Sequence, residues 1–96
     1  MSNYFITYDL HNRRDYRGLY QLLASWKAIR LTQSDWLVTL NGSSEVVRNF
    51  MLRELDADDT VAVVEIAKGA DWATMRVPAA ANAWLSANVT PSQMAA

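Results

Sequence analysis

No cysteine occurs in this chain of 96 residues, and a single histidine, His11, stands where a zinc site would need several ligands. Disulfides are thereby excluded as a way to stabilise a small fold, and so are thiolate and histidine-rich zinc sites built from one chain. Glycine is scarce at three residues and proline at two, so neither a fibrous nor a low-complexity composition fits. No run approaches the roughly 18 apolar residues of a membrane span. The opening Met1-Ser2-Asn3-Tyr4 lacks the basic stretch and apolar run of a secretory signal. The expected location is the cytoplasm, with no membrane partner. A P-loop, a dinucleotide-binding glycine motif, an HExxH zinc motif and a nucleophile motif around Ser are all missing, which removes nucleotide-dependent and triad-hydrolase chemistry.

What is present is the makeup of one globular domain: 51% hydrophobic residues, 20% charged, and ten aromatics of which four are Trp. At this length roughly 60 to 65% of the unfolded chain's surface can be buried, which is marginal for a monomer. With no disulfide to help, dimerisation is the remaining device. The net charge of −1 hides an uneven distribution. Residues 1–30 carry five basic and two acidic side chains, residues 31–60 two basic and six acidic, and residues 61–96 two of each. A local basic surface near the amino end is therefore expected, with the acidic middle facing elsewhere.

Tyr4-Phe5-Ile6-Thr7-Tyr8 is dense in β-branched and aromatic residues and reads as a strand ending in Asp9. From Asp15 to Lys27 the apolar positions Tyr16, Leu19, Tyr20, Leu23 and Trp26 follow helical spacing, with Asn12 or Asp15 as the N-cap. Ala28 to Gln33 and Trp36 to Leu40 are strands joined by a tight hairpin at Ser34-Asp35. Asn41-Gly42 ends that strand, and Ser43 or Ser44 caps a second helix with Val46, Val47, Phe50, Met51 and Leu55 as its stripe. After an acidic loop at Asp56, Asp58 and Asp59, the apolar run Thr60 to Ile66 suits a central strand covered on at least one face.

The order is βαββαβ, so the expected class is α+β: a ferredoxin-like sandwich whose four-stranded antiparallel sheet carries two helices on one face. Residues 1–67 make up this core, and residues 68–96 are a C-terminal extension. Within the extension Pro78 to Ala87 reads as a short helix, and Ala81, Trp84 and Leu85 pack it on the same domain or on a partner subunit. Trp72 is read as a core or dimer contact. Thr90 to Ala96 is expected to fray.

Asp9 is the leading candidate for chemistry. Hard cations such as magnesium take carboxylate oxygens, and one Asp from each subunit of a symmetric dimer supplies a two-carboxylate metal site. The alternative is that Asp9 accepts hydrogen bonds from loop amides. Arg13, Arg14 and Arg17 follow it and Arg30 enters the second strand, so guanidinium groups suited to phosphate gather near one sheet edge, unless they simply form a solvated face in which Arg14 and Arg17 pair with Asp15. His11 is placed to shuttle a proton or to be plain surface. Tyr8 and Trp36 are core or interface aromatics or base-stacking platforms, and Ser34 a turn residue beside them. Asp56, Asp58 and Asp59 lack the spacing of a calcium loop and read as a solvated acidic loop.

Tyr4-Phe5-Ile6-Thr7-Tyr8-Asp9-Leu10 and Arg30-Leu31-Thr32-Gln33-Ser34-Asp35-Trp36 resemble two segments of the small CRISPR-associated proteins of spacer acquisition, the second Cas protein family. They resemble equally its ferredoxin-like relatives, virulence-associated protein D among them. The likeness spans about residues 3–66. Gln33 lies one place from the family position, Asp35 replaces an apolar residue, and no clear fifth strand follows the fourth. The resemblance implies a nucleic-acid-binding homodimer, acting on RNA or double-stranded DNA as a magnesium-dependent endonuclease or serving as a non-catalytic bridge beside an integrase partner. A stand-alone ribonuclease toxin is the further alternative. By position, Asp9 would be the metal ligand shared with its symmetry mate, Tyr8 its neighbour, Arg17 and Arg30 the basic contacts, and Ser34 and Trp36 residues beside the cleft.

Overall fold

The computed structural model describes residues 1–11 and 15–89. The N-cap candidate Asn12, the expected phosphate contact Arg14 and the segment from Thr90 lie outside the described residues. The elements are β1 (Ser2–Asp9), α1 (Arg17–Ser25), β2 (Ile29–Thr32), β3 (Asp35–Leu40), α2 (Ser44–Leu52), β4 (Thr60–Ile66) and α3 (Ala79–Asn88). The strands form one antiparallel sheet in the order β2-β3-β1-β4. This is the ferredoxin-like α+β arrangement with a third helix added.

Alternation along β1 builds two cores. Tyr4, Ile6 and Tyr8 point to one face and are buried with Val38 of β3, Leu19 and Leu23 of α1, and Val47 and Met51 of α2. On the opposite face Leu37 is buried against Ala81, Leu85 and Val89, with Phe5, Ile29, Leu31 and Ile66 packed around them. The C-terminal helix thus sits on its own chain's sheet, chiefly over β2. Its buried stripe runs through Ala81, Leu85 and Val89, while the expected Trp84 is only half-buried.

β4 corrects one expectation. It is an edge strand, not a central one, because its single ladder is with β1 and its residues alternate between half-buried and exposed. Val61 and Val63 face the helices, whereas Val64 on the other face is 55% exposed, since α3 covers the far end of the sheet. A continuous apolar run satisfies either placement, and the neighbour count depends on topology.

Helix ends follow local chemistry. Ser43 caps α2 by accepting from Val46 N at 3.2 Å, as expected. α1 starts two residues later than its pattern, at Arg17, with Asp15 Oδ1 accepting from Arg17 N at 2.9 Å. The space that a Cβ would take at Gly18 is filled by the Glu54 carboxylate, so a close approach sets this glycine. At the other end Lys27 N bonds Ala24 O and Ala28 N bonds Leu23 O, a Schellman closure with Lys27 in the left-handed region at φ 59°. Glycine is the usual residue there. Lys27→Gly should therefore stabilise the fold by about 0.5 to 1 kcal/mol, seen as a melting temperature a few degrees higher. An unchanged melting temperature would show that Lys27 recovers the difference elsewhere.

Candidate functional site

The strand register gathers the candidate residues at one end of the sheet. Asp9 closes β1 opposite Thr60 of β4, and Thr7 lies opposite Asp35 at the start of β3. Whatever precedes Thr60 and Asp35 must therefore emerge beside Asp9. Two clusters result, one on the β2 side of Tyr8 and one on the β4 side.

On the β2 side Tyr8, Arg30 and Trp36 come together as the sequence suggested. Tyr8 is buried, and its hydroxyl accepts from Trp36 Nε1 at 3.0 Å. Burial pushes the Tyr8 phenol up, with nearby Tyr20 adding to the rise against the opposing Trp36 bond and the Arg30 charge. Arg30 is opposite Trp36 in the β2–β3 ladder. Its guanidinium carbon lies 4.4 Å from the centre of the Trp36 ring and 5.7 Å from that of Tyr20. Arg30 Nη1 also donates to Gln33 O at 2.7 Å. The planar head is thus held on the Trp36 and Tyr20 rings and tied to the hairpin turn, on an exposed side chain. Ser34 contributes its backbone, accepting from Tyr8 N at 3.2 Å.

On the β4 side the structure overturns the expectation that the acidic segment faces away from Asp9. The loop before Thr60 closes over the end of β1. Asp59 is buried and accepts from His11 N, Asp56 N and the Tyr16 hydroxyl, each at 2.8 Å. Burial opposes its ionisation, but these three donors outweigh that penalty and hold its pKa below the ordinary Asp value. Asp59 is therefore a joint between two loops, not a member of a solvated acidic loop. His11 Nδ1 meets the Asp58 carbonyl, and His11 Nε2 lies 3.2 Å from Asp9 Oδ2. The Asp58 carbonyl first, then the Asp9 carboxylate, favour the imidazolium and raise the His11 pKa.

Arg17 is apart from both clusters in its contacts, pairing with Asp15 at 3.2 Å while both side chains are largely exposed. Such a pair is worth little. Of the expected arginines, Arg30 stacks on the Trp36 and Tyr20 rings, while Arg13 and Arg14 lie outside the described residues. One oxygen from each of Asp56, Asp58 and Asp59 lies within 4.8 Å of the others, so this group could hold a metal ion. The donors are hard carboxylate oxygens of the kind that suit magnesium or calcium.

No family model matches the chain, and no curated protein matches it. Among solved structures, a hypothetical protein, TT1823, from Thermus thermophilus is similar, with a TM-score of 0.62 and 23% identity over 80% of this chain and 94% of that one. That likeness shows the fold alone.

Three participants escaped the sequence reading as site residues: Tyr20, Tyr16 and Asp59. By its spacing Tyr20 reads only as part of a helical stripe, yet it is 42% exposed and lies under Arg30. Tyr16 and Asp59 are 43 positions apart, and no local pattern joins them. The usable signal was the ladder itself, since pairing Asp9 with Thr60 places residues 56–59 next to residues 10 and 11. Among the described residues no helix is long and apolar enough to cross a membrane.

Proposed function

We propose that the protein is a homodimeric nucleic-acid-binding protein that holds RNA or DNA on the surface formed by Tyr20, Arg30 and Trp36. The stacked Arg30 carries this reading. A guanidinium fixed on two rings is oriented in advance, and its remaining N–H groups can fork onto a phosphate while a base stacks against an adjacent ring. With a net charge of −1 there is no general positive field, so binding rests on a few local contacts and a shallow salt slope. The residues resembling the spacer-acquisition proteins, Tyr8, Asp9, Arg30, Ser34 and Trp36, lie at this end of the sheet, in keeping with that affinity. An integrase partner belongs to the same reading. Fluorescence anisotropy of a labelled single-stranded RNA or DNA across a salt series tests it. Binding should weaken with the slope of one or two phosphates, and Arg30→Ala should reduce affinity about tenfold. Absence of binding, or an unchanged Arg30→Ala protein, would overturn it.

A second reading, magnesium-dependent phosphodiester cleavage, is favoured by the placement of Asp9 and His11 beside the three aspartates. Asp56 and Asp58, whose carboxylates converge with that of Asp59, would hold the ion, with Asp9, linked to the loop through His11, as the further ligand of this reading; the acidic loop of the same chain would take the part that a second Asp9 was expected to play. Magnesium there would activate water and offset charge on the phosphate. Asp59 already accepts three hydrogen bonds and serves to fix the loop.

A further inference from the structure

The two edges of the sheet differ in a way that points to a partner. β2 is four residues long, its ladder shifts register between Arg30 and Thr32, and α3 packs on it. β4 has seven residues without Pro or Lys, and its ladder with β1 runs unbroken from Asn3 opposite Ile66 to Asp9 opposite Thr60. Among the described residues no strand lies along its outer side. A long, regular edge with an exposed Val64 presents a row of N–H and C=O groups ready to pair, and Glu65 is the one charged side chain along it.

We infer that β4 is a homodimer interface in which two copies pair antiparallel about a two-fold axis at Val63, joining the sheets into one of eight strands. The inference rests on the homodimeric reading above and adds its surface and register. In a two-fold antiparallel pair, residues whose backbone groups point outward must face residues of the same kind, so the axis passes through a residue. Only Val63 at the axis lets all seven residues pair. It sets Thr60 opposite Ile66, Val61 opposite Glu65 and Ala62 opposite Val64, covering the exposed valine. An axis at Ala62 would instead leave Glu65 and Ile66 beyond the end of the partner's strand.

Charge selects the same register. Glu45, Arg48, Val61 and Val63 line a groove along this edge, between α2 and β4. Glu65 alternates to the helix side with Val61 and Val63, so opposite Val61 it arrives beside the partner's Arg48. Within its own chain Arg48 has an exposed 3.9 Å contact with Glu45 and donates to Asn49 Oδ1 at 2.9 Å, neither of which prevents a second carboxylate from joining. Each contact occurs twice. Strand spacings then leave the two Asp9 residues roughly 25 Å apart, so each acidic end works within one chain.

Sedimentation velocity of the purified full chain, without nucleic acid, tests the interface. The wild type should be a dimer at micromolar concentrations. Arg48→Glu and Glu65→Arg should each raise the dimer dissociation constant about tenfold or more, the doubly reversed protein should recover most of the loss, and Val64→Lys should be monomeric. Circular dichroism confirms that each variant is folded. A monomeric wild type, single reversals that leave dissociation unchanged, or a double reversal without recovery would overturn the inference. Nucleic-acid binding is measured separately. A monomer that still binds RNA or DNA counts against the interface alone, and a dimer that binds neither counts against the functional reading alone.

Discussion

Asp59→Ala should lower the melting temperature by roughly 10 °C or more, a larger effect than any substitution at an exposed residue of the same loop. The reason is the number of groups left without a partner. Asp59 accepts from two backbone amides and one tyrosine hydroxyl, all at 2.8 Å, and Tyr16 is itself buried at the start of α1. Truncation removes three acceptor contacts at once and leaves the donors facing a void. Asp59→Asn should be milder, because it keeps one acceptor oxygen while turning an amide group toward a donor. The pH dependence has a definite sign. The folded-state pKa of Asp59 is lowered, so its contribution is present above the unfolded value near 4 and is lost as pH falls through the folded one. His11 runs the other way. Its folded pKa is raised, so its smaller contribution is complete below about 6.5 and is lost as pH rises through the folded value. Thermal melts of wild type and Asp59→Ala across pH should therefore converge in acid and separate toward neutrality. Equal melting temperatures near pH 6 would show that the loop closes without this carboxylate.

The loop also shows where sequence reading reached its limit. Helices and strands were legible because their signals are local: the spacing of Leu19 and Leu23 in α1, the alternation of Tyr4, Ile6 and Tyr8 in β1, and the Ser43 cap on α2. Their order then named the ferredoxin-like sheet. Tyr8 with Trp36, and Arg30 beside them, were foreseen as neighbours because they fall on paired strands. What failed were statements about which segments meet across the fold. The acidic middle was expected to face away from Asp9, but segment charge says nothing about the ladder that brings Thr60 to Asp9. β4 was expected at the centre because a run of apolar residues does not record how many strands flank it. The apolar character that misled there is what makes its outer edge a surface for a second copy.

Asp9→Ala should reduce magnesium-dependent cleavage at least about a hundredfold while leaving nucleic-acid affinity within about twofold, since Arg30 and not Asp9 carries the binding. The two clusters lie on the β2 and β4 sides of Tyr8, so binding and cleavage should separate by mutation. His11 makes the cleavage arm sensitive to pH. With Nδ1 on the Asp58 carbonyl, Nε2 can donate to Asp9 Oδ2 only as the imidazolium, which these two oxygens stabilise. In that state one Asp9 oxygen is occupied by His11. Deprotonation removes the donor, and the carboxylate becomes fully available as a ligand. Cleavage should therefore rise with pH through the His11 pKa, and His11→Ala should flatten that rise without reducing the plateau. A pH profile unchanged by His11→Ala would remove His11 from control of Asp9. Full cleavage by Asp9→Ala would move the metal to the acidic loop alone. If the wild type binds RNA or DNA but cleaves neither under magnesium or manganese, the same aspartates serve only to close the end of the sheet, and the protein is a binding module.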